Sequence, residues 1–328
     1  MNLPQSNDTG LSPDWYIKGL GHTSASSQIE VAGVPIHFET WGDSDKPGVV
    51  LIHGSNAHRD WWRFVAPVLA DQFRVAAIDL SGNGDSGWRE RYTGKLFAQE
   101  VYEVCQAAHL GDKPFVVGHS FGGWVALQTA YYYGSELSGV IFNDYTVAPP
   151  ERYVEWGLRV EREGVDPSRP TRVYPDVETA MSRFRFIPEQ PTLYPDVIDY
   201  IGRQGLREVE GGVTWKFDPG MYDYLEMGAD QRERFASVAC RSAVILGELT
   251  EDEGAYEGDY MRTLCAGGLP VFELPGCHHH MMFEEPVALA MAFKGLMLNW
   301  LAEDNRSAMR RALSEVLAQA SESDTKSG

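Results

Sequence analysis

The four cysteines of this 328-residue chain, Cys105, Cys240, Cys265 and Cys277, show no Cys-x-x-Cys spacing. Scatter of that kind disfavours a disulfide framework and a zinc site, so reduced, buried thiols are expected. No run of about 18 apolar residues occurs, so no membrane span is expected. The opening MNLPQSNDTGLSPDWYIKG lacks the basic and apolar regions of a secretory signal, and the expectation is a soluble, cytoplasmic protein. Positive charge is also short. Twenty-eight Lys and Arg face 47 Asp and Glu, for a net charge of −19. Such a surface repels phosphate, which argues against nucleic acid and anionic membranes as partners. There is no internal repeat, and no motif implies a cofactor.

What is present is enough apolar material for a sizeable core, 43% hydrophobic with 12% aromatic residues, so global disorder is excluded. Short apolar runs alternate with helical patterns. Strands are expected at Gln28 to Val31, Pro35 to Thr40, Gly48 to Ile52, Phe73 to Ile78, Phe115 to Val117, Val140 to Phe142, Ala243 to Gly247 and Pro270 to Leu274. Helices are expected over Asp60 to Ala70, Gly94 to His109, from the residue after Ser120 to about Tyr133, Tyr260 to Cys265, Pro286 to Leu301 and Asn305 to Ala320. Continuous apolar runs of four to eight residues suit strands buried on both faces, and the alternation predicts an α/β fold with a mostly parallel eight-stranded sheet and right-handed crossovers. The cadence stops between about 145 and 236, where Pro, Arg, Tyr and Trp are frequent, and that stretch reads as a mainly helical insertion. The expected organisation is a flexible arm over 1–26, a core from 27–144 and 237–303, the insertion at 145–236, and a C-terminal helix with a disordered tail over 304–328.

The central feature is Phe115-Val116-Val117-Gly118-His119-Ser120-Phe121-Gly122-Gly123-Trp124. An apolar run that breaks at glycine, presents one serine and resumes at two glycines predicts strand, sharp turn and helix with Ser120 at the apex. Positions two residues either side must be small because strand and helix nearly touch, and Gly118 and Gly122 meet that need. The helix that follows aims unsatisfied N–H groups and the positive end of its dipole at the serine.

Four motifs in order then resemble the α/β-hydrolase superfamily over roughly residues 28 to 303: His53-Gly54 after the third strand, Asp79-x-x-Gly82-x-Gly84-x-Ser86 after the fourth, the serine turn after the fifth, and Gly276-Cys277-His278-His279 after the last. The resemblance implies a hydrolase whose insertion is a cap over a small-molecule site. It makes Ser120 the nucleophile and His279 the base, with His278 as the rival, and it places the oxyanion hole at the backbone N–H groups of Ser55 and Phe121. A metal role for His278, His279 and His280 is disfavoured, because no acidic ligand motif accompanies them.

The acid is displaced. The usual slot, three residues beyond Gly247, holds Thr250, which bears no charge. Asp144, at the end of the sixth strand, is the expected substitute. Glu251 is the main alternative, and Glu248 and Asp252 lie nearby. Asp79, Gly82, Gly84 and Ser86 read as turn builders. Trp61, Trp62, Trp88, Tyr153, Trp156, Phe184 and Phe186 either pack the cap or line an apolar pocket. Arg159, Arg162, Arg183 and Arg185 either form solvated pairs or meet a substrate carboxylate. The implied activity is hydrolysis of an ester or related acyl bond. Carbon–carbon (diketone) hydrolase, lactonase, thioesterase and a non-catalytic ligand receptor are the alternatives. A serine at the apex disfavours epoxide hydrolase and haloalkane dehalogenase chemistry, which needs a carboxylate there. The oligomeric state is not legible.

Overall fold

The computed structural model describes residues 12–151, 171–222, 225, 227–228, 230–250, 258–265 and 268–326. Tyr153, Trp156, Arg159, Arg162, Glu251 and Asp252 lie outside the described residues.

Eight strands form one sheet: β1 (Ala25–Val31), β2 (Val34–Trp41), β3 (Gly48–Ile52), β4 (Arg74–Ile78), β5 (Phe115–His119), β6 (Gly139–Asn143), β9 (Arg241–Gly247) and β10 (Val271–Leu274). Their order is β1-β2-β4-β3-β5-β6-β9-β10. The β1–β2 and β2–β4 pairs are antiparallel and every later pair is parallel. The period of two explains why the central strands are apolar throughout. Val50, Ile52, Val116 and Phe142 enter one core with α3 (Gly94–Ala107) and α4 (Phe121–Tyr133). Val49, Leu51, Val117 and Ile141 enter a second core with α2 (Ala66–Leu69) and α9 (Pro286–Lys326). Burial on both faces makes β5 the middle of the molecule and brings its carboxyl end, with Ser120, between the two layers.

Several expected boundaries shift for identifiable reasons. The expected helix over Asp60 to Ala70 splits into a 3₁₀ turn, Arg59–Trp62, and the one-turn α2, which carries Pro67 in its first turn, where proline is tolerated and interior proline is not. Part of the expected flexible arm is ordered: α1 (Asp14–Gly21) sets Trp15 edge-on to Phe64 and to Tyr194, each at 5.3 Å. Those aromatic contacts hold the short helix against both the core and the insertion. The two expected C-terminal helices and the expected disordered tail are one helix of 41 residues reaching Lys326. No proline or glycine lies between Gly295 and Lys326, and Ser, Asp and Thr lower helix propensity by only some tenths of a kcal/mol each.

The insertion contains α5 (Val177–Met181), α6 (Pro195–Gln204), α7 (Gln231–Ala236) and a hairpin of β7 (Leu206–Val209) with β8 (Gly212–Trp215). The hairpin is absent from the sequence expectation. Its strands are four residues each and only Val213 and Thr214 are buried, so no apolar run marks it. After β9, α8 (Gly258–Leu264) leads to β10. No helix among the described residues is long and apolar enough to cross a membrane. All four cysteines are free, and burial raises the Cys277 thiol to about 12 and the Cys240 thiol to about 11.

Candidate active site

Ser120 sits between β5 and α4 with φ 53° and ψ −119°, a left-handed conformation rare for a residue with a side chain and characteristic of strained functional turns. The turn closes only because glycine flanks it. A Cβ on Gly118 would lie 2.0 Å from the Gly122 carbonyl oxygen, and one on Gly122 would lie 2.4 Å from that of His53. Gly123 is equally constrained, its Cβ position lying 2.3 Å from Tyr145 Cβ. The Ser120 N–H donates to the Asn143 carbonyl at 3.0 Å, tying the apex to the neighbouring strand end.

That strand end continues into Asp144, whose φ is +49°. Its N–H donates to the Ile245 carbonyl at 2.7 Å, and its carboxylate is turned inward and buried. Oδ1 accepts the Gly247 N–H at 2.8 Å. Oδ2 accepts the Thr250 hydroxyl at 2.9 Å and His279 Nδ1–H at 2.6 Å. Thr250, the residue in the usual acid slot, is thus a donor to the carboxylate that lies opposite.

The three consecutive histidines have three different partners. His279 is buried against Asp144. His278, a quarter exposed, pairs Nδ1 with Glu284 Oε1 at 2.9 Å and donates its backbone N–H to Glu284 Oε2 at 2.7 Å. His280 donates both its N–H and its Nδ1–H to Gln190 Oε1, at 2.8 and 2.7 Å, and stacks on Phe186 at 4.6 Å. His119, the residue before the serine, donates Nε2–H to the His279 carbonyl at 3.0 Å, with the two rings 4.7 Å apart. This bond fastens the histidine loop to the serine turn. Burial, together with the neighbouring histidines, holds His119 and His280 well below the ordinary imidazole range, so both are neutral at pH 7.

His53 donates Nδ1–H to the Gly54 carbonyl at 2.8 Å and accepts the Leu80 N–H at Nε2, 3.1 Å away. Burial lowers it to about 4, and it stays neutral as the brace between two loops. A Cβ on Gly54 would meet Ser120 Cβ at 3.4 Å, so the turn carrying Ser55 lies against the serine. Among the described residues neither the Ser55 N–H nor the Phe121 N–H has a backbone carbonyl partner. The Phe121 N–H belongs to the first turn of α4, where unsatisfied donors are expected.

Asp79 accepts the backbone N–H of Arg59 at 2.6 Å and of Asp85 at 2.9 Å, and Gly84 leaves no room for a Cβ, which would lie 2.2 Å from Asp79 Cγ. This turn is structural scaffolding. Among the aromatic candidates, Trp61 and Phe186 meet edge to face at 6.1 Å beside His280, Trp62 is in the core against Phe293, and Trp88 stacks under Arg207. A cavity of about 20 Å³ bounded by His58, Trp61, Phe184, Ile201, Trp215 and Phe217 separates insertion from core there, room for about one water. Arg183 and Arg185 are exposed. His119, Thr250 and Gln190 are the contributors that the sequence did not disclose. The first hides inside the serine motif, the second is visible only as an uncharged residue in the acid slot, and Gln190 carries no motif at all.

A mostly parallel sheet with a serine on the strained turn after a central strand, and a histidine on the loop after the last strand fastened to that turn through His119, is the layout of an α/β hydrolase. The chain belongs to the alpha/beta hydrolase family, whose model matches residues 49–292. Curated relatives include a soluble epoxide hydrolase of Corynebacterium sp., 43% identical over 108 residues that cover 32% of this chain and 36% of that protein. Another is a pimeloyl-[acyl-carrier protein] methyl ester esterase of Edwardsiella ictaluri, 35% identical over 96 residues, 29% of this chain and 35% of the relative. Matches of this kind span a little over a third of the length of the relatives. Among solved structures, an M. tuberculosis esterase superposes with a TM-score of 0.70 at 18% identity, covering 87% of this chain and 96% of that one. The thioesterase domain from the curacin biosynthetic pathway gives 0.68 at 24% identity, covering 84% and 100%. At such identities the likeness concerns the fold.

Proposed function

We propose that the protein is a serine hydrolase that cleaves an ester or related acyl bond of a small, fairly apolar substrate through an acyl-enzyme. The observation that carries this reading is the buried Asp144–His279 pair at 2.6 Å, fastened through His119 to the turn that holds Ser120 in its strained conformation. Asp144 fixes the proton on Nδ1, which makes Nε2 the basic nitrogen. In the mechanism Ser120 Oγ attacks the acyl carbon while His279 Nε2 takes its proton, and the carbonyl π pair moves onto oxygen. The Ser55 and Phe121 N–H groups stabilise that oxyanion, Asp144 stabilises the imidazolium, and collapse expels the leaving group, which takes the proton from His279. Water repeats the sequence on the acyl-enzyme, releasing the acid and Ser120.

The insertion acts as the cap. Trp61 and Phe186 beside the histidine loop favour an apolar substrate, and Gln190, holding His280 by two hydrogen bonds, joins cap to core. Relatives carry both epoxide hydrolase and esterase names. A hydroxyl at Ser120 favours acyl transfer, because the alkyl-ester route requires a carboxylate at that position. The test is labelling by a fluorophosphonate probe and burst kinetics with p-nitrophenyl butyrate. Wild type is expected to label and turn over, and Ser120→Ala to do neither. Undiminished labelling in Ser120→Ala would sink the assignment, and wild type without turnover would favour a ligand receptor.

A further inference from the structure

Beyond the backbone donors of Ser55 and Phe121, one side chain adjoins the same two residues. Tyr222 lies at the end of a segment stitched to the Asp79–Gly87 turn. Phe217 bridges to Asn83, the Asp218 N–H donates to the Gly82 carbonyl at 2.8 Å, and Tyr92 donates its hydroxyl to Asp218 Oδ2 at 2.6 Å. Asp218 Oδ1 accepts the Gly220 N–H at 2.9 Å, and Met221 is buried in the core, with Asn83 Nδ2 donating to its sulfur at 3.3 Å. The backbone just before Tyr222 is therefore fixed from several sides. Its ring meets the Phe121 ring at 5.6 Å and 75°. Its hydroxyl is buried beside the Ser55 side chain, and it makes no hydrogen bond of good geometry among the described residues.

Native proteins rarely leave a buried phenol without a good hydrogen bond, and a catalytic role is one reason such a group is kept. Burial raises the pKa of Tyr222 above the ordinary phenol value, so the O–H proton stays in place at neutral pH. Phe121 and Ser55 are the residues whose backbone N–H groups line the oxyanion position. The Tyr222 ring borders Phe121 and its hydroxyl borders Ser55, so this side chain adjoins both residues of that position.

We propose that Tyr222 supplies a third hydrogen bond to the substrate's acyl oxygen, completing with Ser55 and Phe121 the site for the charge that develops there. This rests on the serine hydrolase reading. The phenol keeps its proton throughout and donates a hydrogen bond that strengthens as the oxygen becomes anionic. Its contribution therefore belongs to the transition state and lowers the barrier more than it tightens substrate binding.

Wild type and Tyr222→Phe are compared in p-nitrophenyl butyrate hydrolysis and in inhibition by an alkyl trifluoromethyl ketone, whose serine adduct carries the same oxyanion. Wild-type labelling by fluorophosphonate is the control for the underlying reading. The expected result is a kcat lower by about 10- to 100-fold in Tyr222→Phe with KM within about threefold, since one preorganised donor is worth on the order of 100-fold. The ketone should lose affinity by the same factor as kcat/KM, a correlation that a merely structural role would not produce. Tyr222→Met, which keeps bulk without a donor, should behave alike and serves if the first variant folds poorly. Unchanged kcat and ketone affinity in a folded variant, with wild type labelling normally, would overturn the role of Tyr222 alone. Wild type that fails to label would overturn the hydrolase reading and this inference with it.

Discussion

Asp144→Asn discriminates a working triad from a coincidental ion pair, because every hydrogen bond of the carboxylate is defined. Oδ1 takes the Gly247 N–H at 2.8 Å, and Oδ2 takes the Thr250 hydroxyl at 2.9 Å and His279 Nδ1–H at 2.6 Å. An asparagine has two ways to fill this site. With its NH₂ at the Oδ1 position it opposes the Gly247 N–H, leaving buried donors unsatisfied at about 1–3 kcal/mol. With its NH₂ at the Oδ2 position the amide oxygen keeps the Gly247 bond, the Thr250 hydroxyl turns to accept, and the imidazole accepts at Nδ1 by moving its proton to Nε2. Every bond is then made, so the second orientation prevails by about the same 1–3 kcal/mol. The fold survives and the base is spoiled, since a protonated Nε2 takes no proton from Ser120. The expected loss in kcat/KM is about 10³- to 10⁴-fold, with an unfolding free energy within about 2 kcal/mol of wild type. Steady-state hydrolysis of p-nitrophenyl butyrate and a urea melt measure the two quantities. A folded Asp144→Asn that keeps more than about a tenth of wild-type kcat/KM would refute the reasoning and return Glu251 to consideration.

Two further outcomes follow from the histidines. His279→Gln should cost at least about 1,000-fold in kcat/KM. His278→Gln should stay within about threefold, since the His278 ring pairs with Glu284 and not with Asp144, and steady-state kinetics on both variants reverses the base assignment if their losses are exchanged. Stability should also fall on acidification. Burial lowers His53 from its ordinary 6.5 to about 4, so the unfolded chain binds this proton first, and the stability present above pH 6.5 is lost as pH falls toward 4. Each tenfold loss of proton affinity on folding corresponds to about 1.4 kcal/mol, so this one group accounts for about 3 kcal/mol. His119 and His280 act in the same direction. Urea melts at pH 7.5 and 4.5 measure it, and equal stabilities would contradict the buried, neutral assignment.

Elements buried on both faces were legible because their apolar runs have no competing explanation: Gly48–Ile52 has the bounds that its residues suggest. Elements stabilised by one or two distant contacts were not. The β7–β8 hairpin and α1 depend on Tyr174, Phe64 and Tyr194, none of which is near them in sequence.

The acid belongs to a third category, where residues are visible and their juxtaposition is not. β6 and β9 are adjacent and parallel, with Asn143 opposite Ile245, so the turns that follow them are one strand spacing apart, about 4.8 Å. A carboxylate on either turn can reach the same imidazole nitrogen. The choice between them is fixed by the left-handed backbone at Asp144, φ +49°, which aspartate tolerates better than most residues. It is fixed also by the need to satisfy the buried carboxylate's remaining lone pairs. Once the acid stands on β6, the opposite turn must offer donors instead of a second negative charge, because two facing carboxylates would hold one of them protonated. The Gly247 N–H and the Thr250 hydroxyl meet that requirement. The threonine that looks like a missing acid in the sequence is therefore the residue that makes an acid on the neighbouring strand sustainable.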